Sequence, residues 1–264
     1  MNRRSFLSRI SLSAAALYLP SQSARTQHLI LIVNGGGARK KDYYEDPVLA
    51  PNIRRLAGEG FVFEEDHCER VASHDAAFAE LLQGREAAAG TSRAYPSILD
   101  YIGNGRQVHS LRAIPRIMQH YRPRVLVCRE MAHDIGHSGY EKYLGAVKAT
   151  DDAVGKIFDW VKTHPYFRQN TAIVIRPEFG RDDEVNEHGH LHHSYGFYYT
   201  HRVASIFWGP DFNQGIDRQT VITSLDMAPT LAQVFNVDAI YAEGRVVPGL
   251  FKQAAQATRP IALG

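Results

Sequence analysis

Cysteine is nearly absent from this sequence, which has only two among its 264 residues, Cys68 and Cys128. Two thiols cannot supply the ligands of a cysteine-rich zinc cluster, and they cannot build the disulfide framework of a small secreted domain. The pattern alone does not show whether these two cysteines pair with each other. We expect both to be buried and free rather than bridged.

The sequence also lacks an excess of charge of one sign. Lysine and arginine number 30 against 28 aspartate and glutamate residues, and three of the arginines lie in the first 24 residues. Without that segment the balance is 27 to 28, so the charge gives no reason to expect a nucleic-acid partner. No later run is long and apolar enough to cross a membrane, so we expect no membrane insertion of the mature chain.

The first 24 residues have the organisation of an export signal. Arg3, Arg4 and Arg9 occur without any acidic residue, an apolar run covers residues 10–19, and small residues at 21–24 offer a processing site. The apolar run is too short to span a bilayer. The hexapeptide at positions 2–7, Asn-Arg-Arg-Ser-Phe-Leu, resembles the twin-arginine consensus.

This pattern predicts a signal peptide at residues 1–24, cleaved after Ser23 or Ala24, and a mature chain in the periplasm or outside the cell. An ordinary amphipathic first helix with incidental arginines is the competing interpretation. The twin-arginine route carries folded proteins, often with a cofactor already bound. A metal site in the mature chain therefore fits this route of export.

The mature chain alternates short apolar runs with helical patterns, and 44% of the whole sequence is hydrophobic, as expected for a full core. The predicted strands are 28–33, 61–65, 108–111, 124–128, 171–175 and 203–208. The predicted helices are 51–60, 75–83, 114–121, 140–163 and 224–235. This order predicts one α/β domain over residues 25–264, with a mostly parallel, mixed sheet and helices on both faces.

Three groups of polar residues follow predicted strands, where open α/β sheets place their ligand sites. They are Asn34 with its glycines, the segment Asp134 to His137, and Glu178 with the long polar stretch 181–201. A carboxylate and an imidazole three residues apart can reach one ion, and a later histidine can complete a three-ligand zinc site. Asp134 and His137 with either His192 or His193 fit that description.

Several ordered segments resemble sulfatases of the alkaline phosphatase superfamily. They are the first strand 29–33, Ala-Pro-Asn-Ile-Arg-Arg-Leu from residue 50, Leu-Leu-Gln-Gly-Arg from 81, Asp134-x-x-Gly-His137, and Ser-Leu-Asp-Met-Ala-Pro-Thr-Leu from 224. Glu178-Phe179-Gly180-Arg181 and the following histidines resemble a narrower bacterial group of sulfatase-related proteins with twin-arginine signals. The resemblance implies the alkaline phosphatase and sulfatase fold.

The resemblance also maps the site residues, with departures from the family pattern. The acidic ligands that sulfatases carry after the first strand correspond to Asn34, and their Asp-His-Gly corresponds to Glu178-Phe179-Gly180. The family's nucleophile position falls on His74, with Ser73 beside it, and the Pro-Ser-Arg part of the motif is absent. Formylglycine chemistry is therefore not expected.

Ser73 and His74 each keep more than one interpretation. Ser73 is the candidate nucleophile, but a serine before a helix is also a natural N-cap. His74 could be a base, an unusual nucleophile or a ligand. Arg181 is the candidate for neutralising the charge of the substrate.

The sequence thus predicts an exported, metal-dependent hydrolase of phosphate or sulfate esters, acting on a small-molecule or glycan ester. Its cofactor would be one divalent ion, with zinc first and calcium or manganese as alternatives. The competing hypothesis is a catalytically degenerate protein that keeps the fold to bind a ligand or partner. The loss of an acid at Asn34 favours that second hypothesis, and the retained Asp134-x-x-Gly-His137 favours the enzyme.

Changing Arg3 and Arg4 together to lysine should trap the protein in the cytoplasm as an unprocessed precursor, because the pair is the recognition element of the predicted signal. Cell fractionation and immunoblotting measure this. Changing Arg9 alone to lysine is the control and should leave export intact. Normal periplasmic processing of the double variant would contradict the assignment.

Overall fold

Strands and helices alternate along the part of the chain that a computed structural model describes, residues 25–71, 73–87 and 95–253. The predicted signal at residues 1–24 lies outside these described residues. The strands are β1 (His28–Asn34), β2 (Phe61–His67), β3 (Gly105–Val108), β4 (Val125–Glu130), β5 (Thr171–Pro177), β6 (Arg202–Trp208), β7 (Gly215–Asp217) and β8 (Ile222–Thr223). The α-helices are α1 (Pro51–Gly58), α2 (His74–Gln83), α3 (Ile98–Ile102), α4 (Ile114–Tyr121), α5 (Tyr140–Thr163), α6 (Tyr198–His201) and α7 (Met227–Gln233).

All eight strands belong to one sheet, in the order β3-β4-β1-β5-β6-β2-β7, with β8 beside β2. The strands β3, β4, β1 and β5 are parallel, whereas β6 runs antiparallel to both of its neighbours. The predicted α/β fold with a mostly parallel, mixed sheet is confirmed. Because β6 is reversed, β2 points the same way as β1, β4 and β5, so these four strands end at one edge.

Side chains of β1 alternate between the two faces of the sheet, and every residue of the strand is buried. On one face Ile30 and Ile32 pack in a core with residues of α1, α4 and α5. On the other face Leu29, Leu31 and Val33 pack with residues of α2, α3 and α7. Burial on both faces explains the continuous apolar run that predicted this strand, and it confirms helices on both faces.

The structure differs from the sequence prediction mainly near residue 110. The predicted strand 108–111 is wrong by three residues, since β3 ends at Val108 and Leu111 already begins a 3-10 turn, Leu111–Ala113. The backbone N–H of Leu111 is held by the carboxylate of Glu130, at 3.0 Å. Strand β3 has only four residues, too few to show a period of two in the sequence. The sequence analysis missed the short elements α3, α6, β7 and β8 for the same reason.

Both cysteines are buried and free, as predicted. Cys128 lies in β4 and packs in the core with α5, while Cys68 follows β2 and belongs to a separate small apolar cluster. Burial raises the pKa of the Cys68 thiol to about 11 and that of Cys128 to about 12. Neither thiol is therefore set up as a nucleophile or metal ligand. No helix within residues 25–71, 73–87 and 95–253 is long and apolar enough to cross a membrane.

Helix α1 is capped from outside itself. Ala50 at its N-cap has no side-chain acceptor, and Pro51 follows at the first helical position. The fully buried carboxylate of Asp151, in α5, instead accepts the backbone N–H groups of Asn52 (3.0 Å) and Ile53 (2.7 Å) and the side-chain amide of Asn52 (2.8 Å). The Pro-Asn-Ile segment is thus tied to the long helix by a charged cap.

Replacing Asp151 with Asn should lower the free energy of unfolding by about 1–3 kcal/mol, because an amide nitrogen would face donors that need an acceptor. Asp152, its exposed neighbour on the same helix, is the matched control, and Asp152→Asn should change stability by less than about 0.5 kcal/mol. Urea titration followed by circular dichroism measures both. Equal effects of the two substitutions would disprove the capping role.

Candidate metal centre

Side chains from four segments meet at the edge where β1, β2, β4 and β5 end. Asn34 is the last residue of β1, His74 begins α2 after β2, Asp134 lies in the 3-10 segment Ala132–Ser138 after β4, and Glu178 directly follows β5. The connection from β5 to β6 then returns over the same edge and adds His193. The topology therefore gathers residues that are far apart in sequence.

Asp134 Oδ1 is the centre of the cluster. It lies 3.4 Å from His74 Nε2, 3.4 Å from His137 Nε2 and 3.9 Å from His193 Nε2. The ligand atoms of His74, Asp134 and His193 all lie within 4.8 Å of one another. Ligands bound tetrahedrally to zinc at about 2.0–2.1 Å lie about 3.3 Å apart. Two imidazoles and one carboxylate at these spacings fit a divalent ion of the zinc class, whereas His137, which the sequence predicted as a ligand, lies beside this set with its Nε2 hydrogen-bonded to His193 Nε2.

His74 is oriented by a buried carboxylate. Its Nδ1 hydrogen-bonds to Glu178 Oε1, which leaves Nε2 facing Asp134. A metal-binding histidine usually donates its second N–H to a carboxylate or carbonyl in this way, which fixes the ring and strengthens the ligand. The hydrogen bond to Glu178 also raises the pKa of His74. The sequence analysis could not decide whether His74 is a base, a nucleophile or a metal ligand. The orientation of its Nε2 towards Asp134 favours the role of metal ligand.

His193 is oriented by the main chain. Its Nδ1 lies 2.9 Å from the carbonyl oxygen of Val71, and because a carbonyl can only accept, Nδ1 carries the proton and Nε2 the lone pair. Burial lowers the pKa of His193 to about 4. The ring is therefore neutral at pH 7, which is the form that binds a metal.

His137 bridges the two histidines between which the sequence could not choose. Its Nε2 lies 2.7 Å from His193 Nε2, and its Nδ1 lies 2.6 Å from His192 Nδ1. Since His193 Nε2 carries a lone pair, His137 Nε2 donates there and its Nδ1 accepts from His192. Were His137 to bind an ion through Nε2, its proton would have to move to Nδ1 and the proton of His192 from Nδ1 to Nε2. Of the two, His193 is the one beside Asp134.

Glu178 is completely buried, and both of its oxygens have partners. Oε1 accepts the N–H of Gly36 at 2.7 Å in addition to His74, and Oε2 lies 3.1 Å from Arg129 Nε. The sequence predicted Glu178 as a metal ligand. The structure instead gives it the place of a positioning carboxylate behind His74.

Asn34, also predicted to line a second metal position, is buried at 1% exposure. Neither atom of its side-chain amide has a hydrogen-bond partner among the described residues. An amide oxygen is a weaker metal ligand than the carboxylate that the resemblance calls for, and Glu178 is already bonded. The described residues therefore bring together one set of ligands and not two.

Arg181 lies beneath Asp134 and has no exposed surface. Its guanidinium donates to the carbonyls of Gly36 (2.5 Å), His133 (2.8 Å) and Leu191, and Nη2 is 3.5 Å from Asp134 Oδ1. Burial lowers the pKa of Arg181. Direct contact with a substrate, as the sequence predicted, is therefore outside its reach in this arrangement. Its charge acts on the site through Asp134.

Gly36 is required by the same packing. Its backbone has a φ of +85°, and a Cβ there would lie 2.2 Å from the backbone nitrogen of Asp134. The turn after β1 therefore lets the β4 segment approach closely enough to place Asp134. Because the N–H of Gly36 is bonded to Glu178, this amide is not free for an oxyanion.

Ser73 occupies the N-cap position of α2, but its hydroxyl makes no capping bond to the helix amides. It is exposed, and it directly precedes His74. The interpretation of Ser73 as an N-cap therefore lacks the hydrogen bond from its hydroxyl to a helix amide that would support it. Its role as a nucleophile stays a prediction.

Arg129 is a site residue that sequence analysis missed. It lies in β4, pairs with Glu178, and donates from Nη1 to Asp75 Oδ1 at 2.9 Å. The predicted strand ended at Cys128, two residues before the end of β4 at Glu130, and so left Arg129 outside the strand. A cavity of about 620 Å³ opens beside it, floored by Phe78, Leu82 and Leu99.

Comparison with known proteins supports the fold. The sequence matches no known family profile, and no curated protein matches it. Among solved structures, a putative sulfatase from Bacteroides thetaiotaomicron aligns with a TM-score of 0.65 and 11% identity over 81% of this chain and 71% of that one. An alkaline phosphatase superfamily protein from Vibrio parahaemolyticus gives 0.59 and 14%, over 85% and 71%. The protein Ps i-CgsB, in complex with a neocarrahexaose, gives 0.61 and 14%, over 83% and 75%.

At these identities the likeness concerns the fold, which the resemblance in the sequence had implied. The strand order, the carboxyl-edge placement of Asp134 and His137, and the structural matches agree with one another. The described chain has the fold of the alkaline phosphatase and sulfatase superfamily.

Proposed function

We propose that this protein is an exported, metal-dependent hydrolase of phosphate or sulfate esters. The observation that carries the proposal is the convergence of His74, Asp134 and His193 on one point at the carboxyl edge of the sheet. Export rests on the twin-arginine pattern around Arg3 and Arg4, and the ester chemistry rests on the likeness to sulfatases. Each of these parts has its own test.

The donor set favours zinc over the alternatives. Two imidazoles and one carboxylate suit a zinc site with an open position, whereas calcium takes six to eight oxygen ligands, which the cluster does not offer. An ion bound here would polarise an oxygen of the ester group. Glu178 orients the His74 ring and the Val71 carbonyl orients the His193 ring. Arg181 joins the turn at Gly36 to the segment that carries Asp134, because it donates to the carbonyls of Gly36 and His133.

The chain also supplies a candidate nucleophile and a place for the alcohol part of the substrate. Ser73 lies at the N-terminus of the ten-residue helix α2, where the helix dipole favours negative charge on an attacking oxygen. Arg129 and the 620 Å³ cavity lie on the Asp75 side of His74. A glycan ester is a fitting substrate class, since the structurally similar Ps i-CgsB binds a carbohydrate.

A non-catalytic binding protein is the second candidate, and one observation favours it. The second metal position implied by the family resemblance has only Asn34 and a Glu178 whose oxygens are already bonded. A two-ion clamp stabilises both the attacking and the leaving oxygen, whereas a single ion polarises only one. Turnover therefore decides between the two candidates.

Asp134→Asn should weaken metal binding by at least about 100-fold, the upper end of the loss seen when only a supporting partner of a ligand is removed. Metal analysis of dialysed protein should find one tightly held equivalent in the wild type and none in the variant. Asp183→Asn, in the partly exposed pair with Lys41, is the control and should keep the metal. Equal metal content in all three proteins would remove Asp134 from the site.

Ser73→Ala should abolish hydrolysis of 4-nitrophenyl phosphate and 4-nitrophenyl sulfate while metal content stays unchanged. Because Ser73 makes no capping bond, its loss should change stability by less than about 0.5 kcal/mol. Thr223→Ala is the control, since Thr223 forms a capping box with Asp226, and its loss should cost about 1 kcal/mol without affecting turnover.

Retained turnover in Ser73→Ala would exclude Ser73 as the nucleophile. If the wild type, loaded in turn with zinc, manganese and calcium, hydrolyses no member of a broad ester panel, catalysis is contradicted and the binding protein is the correct candidate.

A further inference from the structure

Six imidazoles form an unbroken series from the protein surface to the metal centre. Successive ring centroids lie 6.2, 6.0, 4.8, 4.6 and 5.0 Å apart. In order from the surface the residues are His188, His190, His192, His137, His193 and His74. His193 and His74 are ligands of the proposed centre and His137 lies beside them, while the first three, here called the outer histidines, are not ligands in it.

The outer histidines are displayed by a fixed turn. The side-chain oxygen of Asn186 accepts the backbone N–H groups of both His188 (3.0 Å) and His190 (2.9 Å), and the backbone N–H of Asn186 bonds to the carbonyl of His190 (2.9 Å). Gly189 adopts a left-handed φ of +75° and its carbonyl is bonded by the N–H of Tyr140 (2.8 Å). The backbone positions from which the His188 and His190 rings project are therefore fixed by the turn.

Exposure is highest at the outer end of the series. The side chain of His188 is 70% exposed, whereas His137 is 35%, His193 10% and His74 26% exposed, and the carboxylate of Asp134 at the centre is 42% exposed. The outer end also carries a carboxylate, since Glu187 Oε1 lies 3.4 Å from His188 Nε2. An imidazole with a carboxylate at the surface can capture a hydrated ion of the zinc class, and each further imidazole can replace one of its waters.

We propose that His188, His190 and His192 form a loading path, a weak surface site that captures a zinc-class ion and passes it by stepwise ligand exchange to the centre. In each step one imidazole nitrogen binds as the previous one leaves, so the ion keeps its charge and no electron is transferred. His192 is the link, because its Nδ1 already contacts His137 Nδ1 at 2.6 Å. This proposal rests on the proposed metal centre, but not on its catalytic activity.

The test compares rates of metal uptake. Full-length mature protein is stripped with a chelator and mixed with limiting zinc held by a chromophoric indicator, and the loss of indicator colour is followed by stopped flow. His188→Ala/His190→Ala should load zinc on the order of tenfold more slowly, because the captured ion is held at high effective concentration near the centre. The final content of one tight equivalent and its affinity should equal those of the wild type.

The matched control is His109→Ala/His120→Ala, which removes two exposed imidazoles from the β3–α4 region and should load at the wild-type rate. Uptake by His188→Ala/His190→Ala at the wild-type rate would overturn the loading path while leaving the centre intact. A loss of equilibrium affinity in that variant would also overturn it, since the outer histidines would then be ligands of the centre. Failure of the wild type to bind any tight equivalent would instead contradict the proposed metal centre itself.

Discussion

The arrangement of the site depends on one buried carboxylate, that of Glu178. It has no exposed surface, and it bonds to the turn after β1 through Gly36, to the start of α2 through His74, and to β4 through Arg129. A buried charge of this kind is stable only when all its partners are in place. Loss of one partner would leave the charge uncompensated, so the ends of four strands are held in one geometry.

The order of strands and helices was predictable because strands that are buried on both faces appear in the sequence as continuous apolar runs. Continuous apolar runs predicted β1, β4 and β5, and the helical period predicted α4 and α5 with the bounds that the structure gives. Short elements such as β7 and β8 carry too few residues to show a period. They pair with β2, far away in sequence, and that contact decides their conformation.

The site was predictable in its location and less so in the roles of its residues. Strand-end placement identified Asp134 and His137, because it depends only on strand direction, and it left His192 and His193 as alternatives for the third ligand. The roles of Glu178 and Arg181 depend on their burial and on which neighbouring groups hydrogen-bond to them. A local sequence pattern does not contain this information. Arg181 looked available for a substrate in the sequence, but the structure gives its donors to carbonyls of three different segments.

The reversed direction of β6 has a consequence for how this protein could change. Antiparallel neighbours such as β5 and β6 can be joined by a turn of a few residues. Here 24 residues separate Pro177 from Arg202, and this excursion carries His193 and the outer histidines. Its two ends are part of the core, since Glu178, Arg181 and Leu191 are fully buried, but residues 184–189 between them are exposed. Insertions or exchanges confined to this exposed part would therefore change the side chains beside the metal centre with little effect on folding.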